Sequence, residues 1–226
     1  MQFDAECIAC LVRRQYELAE RQPDRTAQTA FMRDVARTIA DAPENVAAPW
    51  LVPGFARAAH RHFGITDAFD AIKRESNDRV LALLPRIREI VSRADDPLAM
   101  ALKFSRTGNY LDFAVLPHDK IARELDSAVE NTPSEPLDDT EYAALRADLS
   151  AARSLLILGD NAGEIAFDVV LVEQLQRQYP ALRVQYVVRG GNAQNDATRE
   201  DALAAGMDSI AEILDNGSCI PATELA

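Results

Sequence analysis

Residues 154–164 read Ser-Leu-Leu-Ile-Leu-Gly-Asp-Asn-Ala-Gly-Glu, and this stretch decides the fold. Its first half is a continuous apolar run of strand length, as expected of a parallel strand covered on both faces. The run breaks at Gly159-Asp160-Asn161. Beyond Glu164, the residues Ile165, Phe167, Val169, Val170, Val172 and Leu175 carry a helix length of apolar positions that closes at Tyr179-Pro180. Val184 to Val188 is strand-like again and ends at Arg189-Gly190-Gly191-Asn192. Asn195-Asp196-Ala197-Thr198 opens a second helix, which Gly206 terminates, and a third strand follows over 210–214. Strand, helix, strand, helix, strand is half of a doubly wound, mainly parallel α/β sheet, in which ligands belong at the carboxyl ends of the strands. Both polar clusters, 159–164 and 189–198, fall at that edge, so topology brings them together across the intervening sequence.

Upstream the period is helical. From Phe3 to Arg93 apolar residues recur at three and four, as in Cys7, Cys10, Leu11 and Leu18, then Phe31, Val35 and Ile39. Asp24 or Thr26 caps the second helix, and Pro43, Pro49 and Pro53 interrupt continuity before a segment reaching Phe63. Thr66 or Asp67 starts a long helix that Pro85 kinks or splits, and Pro97 suits the first turn of the next. That helix stops near Thr107-Gly108-Asn109, where Gly and Asn tolerate positive φ. Residues 131–140, with Pro133, Pro136 and several acids, read as a solvated connection. The expected organisation is an all-helical domain over 1–130, a linker and connecting helix over 131–150, and an incomplete α/β domain over 151–226. No internal repeat is present, which excludes a solenoid.

Composition narrows the function. Lys and Arg total 24 against 36 Asp and Glu, a net charge of −12, and no basic run exceeds Arg13-Arg14. Such a chain lacks the clustered cations of a nucleic-acid or anionic-membrane binder. It has no apolar stretch of spanning length, and its N-terminus places acids where a secretory leader needs bases. Cys7, Cys10 and Cys219 are too few to staple a secreted fold and fit the cytoplasm. Cys7 and Cys10 lack the second ligand pair of a zinc site and read as buried helix thiols; His60, His62 and His118 read as structural or surface residues, and Trp50 as a packing anchor.

Asp160, Asn161 and Asp196 supply two carboxylates and an amide carbonyl, hard ligands that leave room for water and phosphate around an octahedral Mg²⁺ or Mn²⁺. The helix starting near Gly163 aims backbone N–H groups at the same edge, a place for a phosphate. Asp and Asn are also ordinary helix N-caps, so the two clusters can equally be capped starts without a ligand. The stretch is no dinucleotide fingerprint, because Asn161 stands where a second Gly is needed, and it lacks the Lys of a phosphate-binding Walker loop.

These segments carry a resemblance. LGDNAGEIAFD at 158–168, VVRGG at 187–191 with NDAT after it, and DNGS at 215–218 resemble the metal-dependent damage-control phosphatases, the ARMT1-like or domain-of-unknown-function-89 family. So do the Cys7–Cys10 pair, DAFDAIKRESN at 67–77 and GNYLDF at 108–113. The resemblance spans nearly the whole chain. It implies a helical domain against an α/β phosphatase domain, a divalent ion (Mn²⁺, Mg²⁺, Co²⁺ or Ni²⁺) held by Asp160, Asn161 and Asp196, and small phosphorylated metabolites such as sugar or nucleotide phosphates as substrates. Glu164, Asn109, Asp112, Arg189 and Asn195 would line the pocket, Arg189 meeting a phosphate oxygen and Asp160 and Glu164 carrying the chemistry, with either Asp160 or water as the nucleophile. The family continues with further strands, a glycine-rich segment and a phosphate-touching Lys that this sequence lacks, so a C-terminally truncated member with an incomplete sheet is expected. The alternative functions are a carboxyl methyltransferase, and a non-catalytic remnant that binds metal or a partner.

Overall fold

The computed structural model describes residues 4–66, 69–109 and 118–221. Contacts gather the chain into two compact units, Met1–Ala68 with Ser218–Ala226, and Phe69–Gly217.

The first unit is helical. Helix α1 (Ala5–Glu20) starts at Asp4, whose side chain accepts from the Cys7 N–H, and α2 (Arg25–Ala40) starts at Asp24, which accepts from Thr26 and Ala27. A 3₁₀ turn (Ala48–Leu51) leads into α3 (Val52–Phe63), which ends at Gly64 in the left-handed region, φ 70°. Phe31, Val35, Leu51 and Phe55 form the buried centre. Cys10 is exposed and Cys7 half-buried, so the expectation of two buried thiols fails: α1 fully buries only Ala19 among its described residues. His62 is structural; its Nε2 lies 2.8 Å from Asp34, which also holds Arg37 and Arg61.

The second unit opens with α4 (Asp70–Arg93), which starts later than Thr66 and runs unbroken through Pro85. Val80, Leu84, Ile87 and Val91 are all buried, and that burial on both sides of Pro85 outweighs the single backbone bond the proline forfeits. Helix α5 (Pro97–Gly108) is capped by Asp96 with Pro97 in its first turn. Then come α6 (His118–Asn131), a 3₁₀ turn (Thr132–Ser134) and α7 (Asp139–Ala151), capped by Asp138. Strand β1 (Ser154–Leu158), α8 (Glu164–Gln178), β2 (Arg183–Val188), α9 (Arg199–Ala204) and β3 (Glu212–Asp215) complete it. The three strands are parallel in the order β1-β2-β3, with no reversal of direction among them. The α/β class and parallel sheet are as expected.

One core joins α4, α5, α6 and α8 to the sheet, with Phe104 of α5 stacked on Phe167 of α8 at 6.4 Å. The contacts therefore divide the chain at Phe69, whereas composition drew the division at 131–150. Helical periodicity shows that a face is buried but not against what. Leu155 and Ile157 of β1 pack on this core, whereas Leu156 and Leu158 stand 53% and 74% exposed. Among the described residues β1 is thus covered on one face, not two; an apolar run reads the same in either case. No described helix is long and apolar enough to cross a membrane.

Candidate metal and phosphate site

Three loops meet at the carboxyl edge of the sheet. The Gly159 N–H still bonds the Val187 carbonyl, 2.9 Å, so Asp160 emerges directly from the ladder. The chain after β2 then folds back: Ala197 N–H donates to the Asp160 carbonyl at 2.7 Å, and Ala162 N–H to the Asn195 carbonyl at 2.8 Å. Asn161 and Asp196 form an antiparallel bridge. Gln194, at φ 57°, makes the reversal that allows it. Asn216 of the third loop accepts from the Gly190 N–H at 3.0 Å. Backbone pairing, and not proximity in sequence, is what sets Asp160, Asn161 and Asp196 side by side.

Their environments differ. Asp160 is exposed, Asn161 half-buried and Asp196 buried. The Arg189 guanidinium lies 2.7 Å from Asp196 Oδ2, with both side chains mostly shielded. Even so, burial raises the Asp196 carboxyl above its ordinary value; Arg189 lowers it and nearby Asp160 raises it again. One guanidinium does not balance this cluster. Among the described residues no group of three or more His, Cys, Asp or Glu is arranged as a metal cage. Asp160, Asn161 and Asp196 offer two carboxylates and an amide carbonyl, hard donors of the kind that suits a dication with coordination positions to spare.

Glu164, in the first turn of α8, is buried and its carboxyl is pushed up to about 8, chiefly by burial, then by Asp168 and Asp160. Asn109 donates to its Oε1 at 2.8 Å. Gly108 makes that approach possible: a Cβ there would fall 2.8 Å from Glu164 Cγ. This corrects the expectation for Gly108-Asn109, where tight packing is needed and positive φ is not, since Asn109 has φ −64°. Asp112 lies outside the described residues. The expected backbone phosphate cradle is largely taken: Gly163 N–H donates to Asn77 Oδ1 at 2.7 Å, and the Ala162 and Ile165 N–H groups bond the carbonyls of Asn195 and Asn161.

Two buried networks support the site, and sequence reading missed both. Asp168, fully enclosed, accepts from Ser105 Oγ and Tyr186 OH, each at 2.6 Å. Lys73 of α4 pairs with Asp201 of α9 at 2.7 Å, while Asn77, one turn along, donates to the same carboxylate at 2.8 Å. The signals were present: Lys73 and Asn77 share a helix face, as do Glu164 and Asp168, and charged or amide residues at four-residue spacing inside an apolar pattern mark buried polar pairs.

Burial pushes the Asp168 carboxyl up to about 6, against the two hydrogen bonds. A carboxyl raised in the folded state holds a proton that the unfolded chain has already lost. Its stabilising contribution is therefore whole below about pH 4 and is lost as pH rises to about 6, roughly 3 kcal/mol in all. Asp168→Asn removes that titration. Thermal melts from pH 4 to pH 7 should show the wild type losing stability relative to the variant as pH rises; a constant difference would refute the assignment.

The fold and site define a class: an α/β protein whose acidic and amide side chains gather at the carboxyl ends of parallel strands. The family model of the damage-control phosphatase ARMT1-like domain matches residues 3–226, and the chain belongs to that family. It is 31% identical over 222 residues to a damage-control phosphatase of Archaeoglobus fulgidus, covering 96% of this chain and 75% of that protein. It is 25% identical to damage-control phosphatase PH1575 of Pyrococcus horikoshii, over 97% of this chain and 75% of the relative. A crystal structure of a DUF89 family protein from P. horikoshii matches the fold with a TM-score of 0.76 at 23% identity, covering 98% of this chain and 76% of that one.

Proposed function

We propose that this protein is a divalent-metal-dependent phosphatase of small phosphorylated metabolites, sugar or nucleotide phosphates, acting in the cytoplasm. The bridge between Asn161 and Asp196, reinforced by the Ala197–Asp160 hydrogen bond, carries the reading, because it gathers three oxygen ligands from two loops. The damage-control phosphatases among its relatives support it, and the free thiols Cys7, Cys10 and Cys219 suit a reducing compartment.

Asp160, Asn161 and Asp196 would hold the cation, which would neutralise charge on the phosphoryl oxygens and orient them. Arg189 and Asn195 bind the phosphate from the β2 side, since the helix N–H groups are taken. Glu164, with its carboxyl near 8, carries a proton at neutral pH. Asn109 donates to its Oε1, and Oε2, which the Asn161 N–H reaches at 3.5 Å, carries the proton that passes to the departing oxygen. Asp160, exposed at the tip of β1, is placed to meet phosphorus or to orient water.

Phosphate release from p-nitrophenyl phosphate by chelator-treated protein should require Mn²⁺, Co²⁺, Ni²⁺ or Mg²⁺ and fall about a hundredfold or more in Asp160→Asn. Release that ignores chelation, or metal-stimulated release that survives in both Asp160→Asn and Asp196→Asn, would remove the proposal.

A further inference from the structure

The family resemblance makes Arg189 a phosphate ligand, yet its guanidinium lies 2.7 Å from Asp196 Oδ2, with the two side chains only 13% and 9% exposed. Both ends of this pair are anchored through the backbone. Arg189 N–H bonds the Ala197 carbonyl at 2.9 Å, and Asp196 N–H bonds the Ala193 carbonyl at 3.1 Å. Only side-chain rotation can part them. Asp196 Oδ2 is the shielded oxygen the guanidinium covers, and it belongs to one of the three residues read above as ligands.

We infer that Arg189 and the divalent cation compete for the Asp196 carboxylate, so that metal entry frees the guanidinium for the phosphate. The inference rests on the proposed ligand set. Its physical basis is charge. With Glu164 protonated at neutral pH, Asp160, Asp196 and Asp201 face two nearby cations, Arg189 and Lys73, and Lys73 is committed to Asp201. A dication entering beside Arg189 is repelled by it and draws on the same carboxylate that the guanidinium holds through Oδ2. Once Asp196 turns to the metal, Arg189 gives up that ion pair beside a cluster that now carries surplus positive charge. An anionic phosphate supplies the missing partner, with the bidentate geometry a guanidinium favours. Metal and phosphate thus bind in an enforced order: the anion meets a guanidinium released from Asp196 only after the cation has arrived.

The test is calorimetric titration of Mn²⁺ into the chelator-treated full chain, followed by inorganic phosphate, for wild type, Arg189→Gln and Arg189→Lys. Removing the competitor should tighten Mn²⁺ binding about tenfold or more in Arg189→Gln, and enlarge the rise in melting temperature that Mn²⁺ produces. The same variant should bind phosphate more weakly in the presence of Mn²⁺. Arg189→Lys, whose single ammonium makes no bidentate pair, should fall between, and it carries the test should Arg189→Gln fail to fold. Mn²⁺ affinity equal to or weaker than wild type in the folded variants overturns the inference. If Mn²⁺ binding survives both Asp160→Asn and Asp196→Asn, or is absent from wild type and variants alike, the ligand assignment falls and the inference falls with it.

Discussion

Asp201→Ala is expected to destabilise the protein by about 3–5 kcal/mol, the range for breaking a buried ion pair from one side. The Asp201 carboxylate accepts from Lys73 Nζ at 2.7 Å, Asn77 Nδ2 at 2.8 Å, and the Thr198 N–H and hydroxyl at 2.8 and 2.7 Å. Those partners hold its carboxyl below the ordinary range although burial pushes the other way. Alanine removes the acceptor and leaves an ammonium, an amide and a backbone N–H enclosed with nothing to bond. The capping box at the start of α9 goes with it. Because Asn77 also holds the Gly163 N–H, the loop carrying Asn161 should loosen as well. Urea unfolding at neutral pH measures the cost as a drop in midpoint at constant slope. The double variant Lys73→Met with Asp201→Leu, which removes both charges, should be more stable than Asp201→Ala. A single-variant cost under about 1 kcal/mol would mean that water reaches this pair.

Gly159→Ala should cost about 1–3 kcal/mol and depress metal-stimulated turnover. A Cβ at 159 would sit 2.5 Å from Tyr186 Cε1 and its hydroxyl oxygen. The ring cannot retreat: Tyr186 is fully buried and its hydroxyl is tied to Asp168 at 2.6 Å. The backbone must move instead, and Asp160 is the next residue. Tyr186→Phe does not rescue the variant, since Cε1 and Cζ still occupy the space. For a chain of this size the melting temperature should fall by at least about 3 °C. An unchanged melting temperature would show that the strand end absorbs the methyl group. The glycine is required here by space and not by φ, because 159 is not among the positive-φ positions.

Much of the fold was legible because its signals are local. The apolar run before Asp160, the Asp24 cap, Pro97 in a first turn and the terminating Gly206 each depend on neighbours within about one helical turn. Two parts were not. The helices over 70–151 show periodic faces, but the partner that buries them, the sheet and α8, lies up to a hundred residues on. Tyr186 and Asp168 look like ordinary strand and helix positions until β1 pairs with β2 and sets Tyr186 beside Ile157, beneath Gly159.

The amino-acid order by itself determined that acidic and amide side chains end two parallel strands, because apolar runs stop at Asp160 and Arg189 and such strands share a direction. Tertiary structure alone decided what those side chains do to one another. Folding back at Gln194 pairs Asn161 with Asp196 and turns Arg189 onto Asp196, while the close packing of α5 on α8 at Gly108 sets Asn109 on Glu164. Removal from water then raises the Glu164 and Asp196 carboxyls, Asp160 adding to the rise in both, a property of enclosed space that linear order does not contain.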